Sequence, residues 1–208
     1  MTRKELIESS FNNLVTFKDI AKSLDISFWL EHGLLLGLHR EGNMLNGDEG
    51  DVDVNLNLCD AEKLSEARTL LVEKGFHSRK TNVSKNGYII ATSLTRNNST
   101  LDIHVHDIRD NIIYYPMYSI RDTTPQQYGV FVYPIEAVMP LGNIEWNNTP
   151  FQCPGNLEKY LVVRYGDDWA VDKIKNGTWD GLRNKKNNPC LQIWDINKLK
   201  DNLFSKSI

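Results

Sequence analysis

The stretch that most constrains the fold is GDEGDVDVNLNL, which runs from Gly47 to Leu58. From Val52 onward, apolar residues alternate with Asp or Asn, which is the period of a strand with one buried and one polar face. Side chains two residues apart in a strand project to the same face, so Asp51 and Asp53 point together, roughly 7 Å apart at the backbone. Two ionised carboxylates on one face raise each other's pKa unless a cation lies between them. The stretch therefore predicts a strand whose polar edge can hold Mg²⁺ or Mn²⁺.

The segments around this strand alternate between helical and extended patterns, which predicts an α+β domain with a mixed sheet. Asn86-Gly87 and Asn97-Asn98 are turn signals between successive strands. The polar region 171–190 is predicted to be a loop. The predicted helices are 3–24, Leu34–Arg40 after a break at Gly33, 61–74 capped by Asp60, 155–165 ended by Gly166, and a final helix at 191–203; the predicted strands are Ile26–Glu31, Val52–Leu58, 76–83, 87–95, 100–106 and 111–115, with a hairpin at 144–151.

The composition excludes several classes of protein. The chain has 208 residues, of which 40% are hydrophobic and 25% charged, as in an ordinary folded domain. The net charge of −3 gives no broad basic surface, so we expect neither nucleic acid nor an anionic membrane as a partner. Three scattered cysteines without a CxxC pair indicate a reducing compartment. No secretory signal and no transmembrane segment is predicted, so we expect a cytoplasmic protein.

Two further features support a metal site over the alternative that the acids form a solvated turn leading into the strand. Asp102 lies inside an apolar strand, where an unpaired carboxylate is costly, and a metal held by Asp51 and Asp53 would give it a partner. Upstream, Gly33 and Gly37 lie between an apolar strand and a short helix. A glycine at such a junction lets phosphate approach the backbone N–H groups of a helix N-terminus.

The residues after Asp102 leave two alternatives open. Asp102, His104 and His106 alternate, so they share one strand face and could bind zinc through neutral imidazoles. The other interpretation places His104 beside the catalytic acids and His106 elsewhere. Tyr165 and Trp169, which follow the end of a predicted helix, either pack in the core or stack on a base or a choline-like cation.

The stretch FWLEHGLLLGLHREGNMLNGDEGDVDVNL resembles the core motif of the LicD/fukutin phosphotransferase family, and the later stretch from Phe131 to Trp169 resembles the family's tail. The resemblance covers roughly residues 26–170. In three places the sequence departs from the family pattern: Leu34 replaces a small hydroxyl residue, Asn46-Gly47 replaces Pro-Trp, and the acidic loop is one residue longer. Asp48 or Glu49 could therefore take the place of the family's first acid. The matching positions are Trp29, Gly33, Leu35, Leu36, Gly37, Arg40, Gly42, Asp51, Asp53, Pro134, Pro154, Asn156, Tyr160, Leu161, Tyr165, Gly166 and Trp169.

The resemblance implies a nucleotidyltransferase-like mixed β-sheet flanked by helices. It implies a catalytic domain over residues 1–170, with 171–208 as a C-terminal loop and helix packed on the same domain. The implied reaction moves a phospho-alcohol, phosphocholine-like or ribitol-phosphate-like, from a CDP-activated donor to a sugar hydroxyl of a glycan or glycolipid, and CMP leaves.

The resemblance also assigns roles to individual residues. Asp51, Asp53 and Asp102 are the expected catalytic residues and metal ligands. The substrate-binding residues are expected to be Gly33, Leu34, Gly37, Arg40 and His104. Two alternatives remain open: a nucleotidyltransferase that acts on a small molecule, and a catalytically degenerate member that binds nucleotide.

Overall fold

The architecture comes from a computed structural model, which describes residues 1–117, 127–171, 174–175, 178–179, 188, 190–195 and 203–204. The four helices in these residues are α1 (Arg3–Ser23), α2 (His32–Glu41), α3 (Ala61–Glu73) and α4 (Leu157–Tyr165). The strands are β1 (Phe28–Leu30), β2 (Asp51–Asn57), β3 (His77–Val83), β4 (Ile89–Arg96), β5 (Ser99–Arg109), β6 (Ile112–Met117), β7 (Gln127–Pro134), β8 (Leu141–Trp146), β9 (Thr149–Pro154), β10 (Ile174–Lys175), β11 (Thr178–Trp179) and β12 (Leu191–Asp195). None of the described helices is long and apolar enough to cross a membrane.

Eight of the strands form one sheet in the order β1-β2-β5-β6-β7-β12, with β4 paired to β5 and β3 paired to β4. β2 and β5 run parallel, whereas the other pairs in this sheet are antiparallel. The predicted α+β class with a mixed sheet flanked by helices is therefore confirmed. The hairpins β8–β9 and β10–β11 form two separate two-stranded sheets.

The sheet has a buried face and an open face at β2 and β5. Val52, Val54 and Leu56 of β2 have no exposed surface, as their alternation predicted. On β5, the residues that share the buried face also contribute to the core, and α1 packs against this strand. Asp51, Asp53 and Asn57, which project to the other face, are only partly buried and lie on the open face, whereas Asn55 is fully buried. One strand pattern thus supplies both the core and the site.

Local signals explain where α1 begins and how it is held. The Thr2 side chain accepts a hydrogen bond from the Glu5 N–H group, and the Glu5 carboxylate accepts one from the Thr2 N–H group, which together form a capping box. Further along the helix, the Ser10 hydroxyl lies 2.7 Å from the Glu49 carbonyl oxygen and 2.8 Å from the Ser99 hydroxyl. These buried contacts tie α1 to the acidic loop and to the start of β5.

The tight turns follow the sequence signals. Asn97 and Asn98 join β4 to β5 with φ angles of 51° and 59°, and Asn147 and Asn148 join β8 to β9 with 48° and 58°. Left-handed conformations at both central residues are typical of two-residue hairpin turns, and asparagine adopts them readily. The predicted turn at Asn97-Asn98 and the predicted hairpin at 144–151 are therefore confirmed.

Three local predictions need correction. The predicted helix at 191–203 is wrong at 191–195, which form β12, because pairing with β7 satisfies their backbone groups; 196–202 lie outside the described residues. Gly33 does not break the chain before α2, because the helix already begins at His32, whose φ is +57°. Asp60 is at the N-cap of α3 without a capping hydrogen bond, because its carboxylate accepts from the Ser27 N–H group and the Lys63 ammonium.

The predicted loop at 171–190 falls mostly outside the described residues. Within it, Ile174–Lys175 and Thr178–Trp179 pair as β10 and β11. The division of the chain into 1–170 and 171–208 stays a prediction.

Candidate active site

The three predicted acids come together on the open face. β2 and β5 are neighbours in parallel register, and Asp53 lies directly opposite Asp102. Asp51 is two residues before Asp53 and projects to the same face. One carboxylate oxygen of each of the three residues lies within 4.8 Å of the others. Sequence periodicity thus predicted the pair on β2, and the parallel pairing of β2 with β5 adds the third acid.

The electrostatics of this acidic triad favour a cation. Burial, followed by the charges of Asp53 and Asp102, raises the pKa of Asp51 to about 8. The Oδ1 atom of Asp102 is buried and has no hydrogen-bond partner among the described residues. A buried carboxylate oxygen without a donor is costly, and a hard divalent cation removes that cost by coordinating oxygen. Asp51, Asp53 and Asp102 therefore fit a hard divalent cation.

His104 lies beside the triad, as predicted, with its Nε2 atom 3.7 Å from Asp53 Oδ1. Burial lowers the pKa of His104, although Asp102 and Glu31 act in the other direction. The zinc alternative, with Asp102, His104 and His106 together, receives no support. His106 is fully buried with its Nε2 atom 3.6 Å from Glu31 Oε1, and the ligand clusters among the described residues do not include it.

A second group of possible ligands, His32, Asp53 and His104, has atoms within the same 4.8 Å limit. Nη2 of Arg164 lies 2.7 Å from Nδ1 of His32 and 3.4 Å from its Nε2. A guanidinium is always charged and only donates hydrogen bonds, so an ion coordinated by His32 would face a buried cation at close range. The acidic triad is therefore the better cation site, and His32 lies at its border.

The start of α2 brings backbone N–H groups to this border. Glu31 is at the N-cap of α2, and its side chain makes no capping hydrogen bond there. Gly33, the second residue of α2, is buried and carries no side chain that would block an approaching group. Leu34 has only 1% of its surface exposed and packs in the core, so its side chain is a structural one. Only the backbone of Gly33 and Leu34 is suited to a phosphate oxygen.

The other two predicted binding residues of α2 lie further along the helix. A Cβ atom at Gly37 would lie 2.5 Å from the Asn43 carbonyl oxygen and 2.8 Å from the Leu45 N atom, so close packing requires this glycine. Arg40 is about 10 Å beyond Gly33 along the helix axis, and its Nη2 atom lies 2.6 Å from Glu41 Oε1. The structure thus accounts for Gly37 by packing and gives Arg40 an ion-pair partner.

The longer acidic loop has a structural role at Glu49. Its Oε1 atom lies 2.6 Å from Nε of Arg3, and its Oε2 accepts a hydrogen bond from the Gly47 N–H group. Burial opposes the charge, but hydrogen bonds from its own N–H group, Gly47 and Arg3 lower the pKa of Glu49. Glu49 therefore anchors α1 to the loop and is not part of the acidic triad. Asp48 accepts the Asp51 N–H group through its carbonyl oxygen, and its charge contributes to the raised pKa of Asp51.

A buried polar network behind the triad was missed by sequence reasoning. Glu31 has no exposed surface and accepts a hydrogen bond of 2.9 Å from Nε1 of Trp29. Burial raises the pKa of Glu31, although Arg164 and Trp29 act in the other direction. Arg164 is 1% exposed and lies with its guanidinium 3.9 Å from the centre of the Phe131 ring. Two features of the sequence could have indicated this network: an acid at the end of the apolar strand ISFWLE, and an arginine inside the apolar helix YLVVRY.

The aromatic residues at the end of α4 are structural. Tyr165 is buried, and Trp169 packs against the core with its ring 5.5 Å from that of His39. A cleft of about 870 Å³ lies at the opposite end of β2 from the triad, between α1, β1 and the β8–β9 hairpin. Ser27, Phe28 and Asp60 line it, so it does not contain the acids.

A mixed sheet with two acids on one strand, a third on its parallel neighbour, and a helix N-terminus beside them defines a nucleotidyltransferase-type domain. The model of the family described as LicD/FKTN/FKRP, nucleotidyltransferase domain, matches residues 25–156, which is more than half of the chain. The chain belongs to this family, and the predicted resemblance is confirmed.

Among known proteins, the chain is 25% identical over 154 residues to the mouse (Mus musculus) protein named ribitol 5-phosphate transferase FKRP. That match covers 71% of this chain and 29% of the relative, so the chain spans less than a third of the mouse protein. Two solved structures of the antibiotic-resistance factor ANT(2″)-Ia are 12% identical to this chain. The crystal structure with adenylyl-2″-tobramycin has a TM-score of 0.46, and the match covers 82% of this chain and 83% of the other. The solution structure has a TM-score of 0.49, and the match covers 83% of this chain and 80% of the other.

Proposed function

We propose that the protein is a metal-dependent phosphotransferase that moves a phospho-alcohol from a CDP-activated donor to a sugar hydroxyl of a glycan or glycolipid. The observation that carries this proposal is the acidic triad, whose raised Asp51 pKa and buried Asp102 oxygen call for a divalent cation. Membership of the LicD/FKTN/FKRP family and the name of the mouse relative support phospho-alcohol transfer over other phosphoryl chemistry.

The proposed reaction breaks the phosphoanhydride bond of the donor diphosphate and forms a phosphoester bond to the acceptor. The acceptor hydroxyl oxygen forms a bond to the phosphorus that carries the alcohol, while the bond from that phosphorus to the CMP oxygen breaks. CMP leaves with the electron pair, and the hydroxyl proton passes to the Asp102 carboxylate. A divalent cation, when bound, would neutralise charge on the non-bridging phosphate oxygens.

The residues of the chain position the two substrates. The backbone N–H groups at Gly33 and Leu34 receive a phosphate oxygen of the donor. Asp51, Asp53 and Asp102 would hold the cation, and neutral His104 contributes a polar contact beside Asp53. In-line displacement requires the attacking and leaving oxygens on opposite sides of the phosphorus, so the acceptor approaches from the side opposite the CMP leaving group.

We propose a polyol such as ribitol as the transferred alcohol because the mouse relative is named ribitol 5-phosphate transferase FKRP.

The test is a product assay with Mg²⁺ or Mn²⁺ and a panel of CDP-ribitol, CDP-choline and CTP. Release of CMP from CDP-ribitol by the wild type, with at least a 100-fold loss in Asp53→Ala, supports the proposal. Glu66→Ala, an exposed acid on α3, is the matched control and keeps wild-type activity. Pyrophosphate from CTP would indicate nucleotidyl transfer instead, and metal-dependent nucleotide binding by calorimetry without release of either product would indicate a degenerate member.

A further inference from the structure

His32, at the turn from β1 into α2, has a backbone conformation that is unusual for a residue of its size. Its φ angle is +57°, which lies in the left-handed region. Among the described residues that are not glycine, the others in this region are asparagine or aspartate, apart from Phe204. A larger residue keeps this conformation only where its surroundings hold it, and such positions cluster at functional sites.

The conformation of His32 decides how α2 is directed relative to β2. The Glu31 N–H group donates to the Asp53 carbonyl oxygen over 3.3 Å, which fixes the end of β1 beside the second acid. His32 is the next residue, and φ and ψ are the only soft angles of a backbone residue. A change in the φ angle of His32 would therefore turn the start of α2 relative to Asp53.

The N–H groups that such a change would redirect are those of Gly33 and Leu34. The first hydrogen bond inside α2 runs from the Leu35 N–H group to the Glu31 carbonyl oxygen. Gly33 and Leu34 precede this bond, so their N–H groups have no acceptor within the helix. They are the two groups that receive the donor phosphate in the proposed reaction.

The side chain of Arg164 on α4 holds His32. Its Nη2 atom lies 2.7 Å from His32 Nδ1. A guanidinium only donates hydrogen bonds, so Nδ1 is the acceptor and the His32 imidazole is neutral. The His32 ring also lies 5.3 Å from the ring of Tyr115. These contacts fix the buried side chain of His32 and, with it, the conformation of the backbone that carries it.

Core packing is the ordinary role of a side chain as buried as that of Arg164. Its guanidinium lies between the rings of Phe131 and Tyr115, 3.9 Å and 5.1 Å from their centres. An apolar side chain would fill this space without the cost of burying a charge. The charge also lowers the pKa of Glu31, which is a second structural role. The test must separate both roles from one that acts through His32.

We propose that Arg164 is a positioning residue for the donor: it holds His32 in the left-handed conformation, which aims the N–H groups of Gly33 and Leu34 at the donor phosphate. The inference rests on the proposed function for placing the donor at the start of α2. It assigns the effect to the backbone of His32 and not to contact between the imidazole and the substrate. Glycine adopts this backbone conformation without strain, whereas a β-branched residue resists it.

The first arm compares two variants of His32 that both lose the imidazole. Binding of CDP in the presence of Mg²⁺ is measured by calorimetry on the intact chain. We expect the Kd of His32→Gly to stay within about threefold of the wild type and that of His32→Val to be at least about tenfold weaker. If His32→Val does not fold, His32→Ala gives the same comparison. Equal weakening in the glycine and valine variants, or no weakening in either, would overturn the inference.

The second arm tests whether Arg164 acts through His32. All of its variants carry Glu31→Gln, which removes the electrostatic effect of Arg164 on Glu31 and restores part of the stability that Arg164→Met costs. Adding Arg164→Met should weaken CDP binding about tenfold when His32 is present and less than about twofold when His32→Gly is also present. A change of the same size in both backgrounds, including no change, would show that Arg164 does not act through His32.

The third arm separates this inference from the proposed function. In transfer from CDP-ribitol, His32→Val should raise the KM of the donor at least about tenfold and leave the KM of the acceptor within about twofold, whereas general damage to the fold would raise both. If the wild type binds CDP but releases no CMP, the proposed transfer fails, and the two binding arms decide the inference alone. If the wild type binds no CDP with Mg²⁺, the inference is wrong as well.

Discussion

The raised pKa of Asp51 makes the stability of the protein depend on pH and on divalent cation. Its pKa is about 8 in the folded protein against 3.8 for the free side chain. A group whose pKa is raised by folding contributes stability that is complete below its unfolded pKa and is lost as pH rises through its folded pKa. The protein should therefore lose this stability as the pH rises from about 4, the unfolded pKa, to about 8, the folded pKa.

The size of the effect follows from the shift and the exposure of Asp51. Raising a pKa from 3.8 to about 8 corresponds to about 6 kcal/mol for a fully buried group, at about 1.4 kcal/mol for each tenfold change in the proton equilibrium. Asp51 is partly exposed, and solvent screening reduces this to roughly 2–3 kcal/mol. Burial is the largest cause and Asp53 the second, so Asp53→Asn should recover about 1 kcal/mol at pH 8, or roughly 2–4 °C in Tm.

The assay is thermal unfolding in EDTA and in excess Mg²⁺, at pH 5.5 and pH 8, for the wild type, Asp53→Asn and the control Glu66→Gln. In EDTA at pH 8, Asp53→Asn should melt above the wild type, and at pH 5.5 the difference should shrink. Mg²⁺ should stabilise the wild type more at pH 8 than at pH 5.5 and should have little effect on Asp53→Asn. Destabilisation of Asp53→Asn in EDTA at pH 8, or an undiminished Mg²⁺ response, would refute the reasoning.

Three further predictions test the surroundings of the triad. Gly37→Ala should lower the free energy of unfolding, measured with denaturant, by about 2–3 kcal/mol, because the new Cβ atom would collide with the backbone of residues 43–45. A variant as stable as the wild type would contradict the packing role. Arg164→Met should lower the free energy of unfolding by about 3–5 kcal/mol, because it removes the cation whose charge lowers the pKa of buried Glu31. The double variant with Glu31→Gln should recover part of that loss. If the two effects simply add in a double-mutant cycle, the two residues are not coupled. Leu34→Thr restores the family's hydroxyl but buries it in the core. It should therefore lower the free energy of unfolding by about 2 kcal/mol without raising kcat. A rise in kcat would show that the hydroxyl reaches the substrate.

The sequence predicted the parts of the fold that depend on local signals. The alternation in β2, the apolar stripe of α1 and the Asn-Asn turns each act over a few residues, and each was confirmed. β12 was predicted as helix because its conformation is decided by pairing with β7, about 60 residues earlier in the chain. Local propensity carries no information about that partner.

The candidate site was predictable to the same extent. Asp51 and Asp53 followed from strand period, and Asp102 from the cost of an acid inside an apolar strand. The buried polar network around Glu31, His32 and Arg164 was not predictable, since Arg164 is far from the other two in the chain and reaches them only through the packing of α4.

The central claim is that Asp51, Asp53 and Asp102 together hold the divalent cation that serves phospho-alcohol transfer. The most direct measurement is the anomalous scattering of Mn²⁺ in crystals of the protein grown with CDP-ribitol. We expect one or two anomalous peaks coordinated by these three carboxylates, with the donor diphosphate as a further ligand. Peaks at His32 and His104 without Asp102, or a diphosphate bound away from the triad, would contradict it.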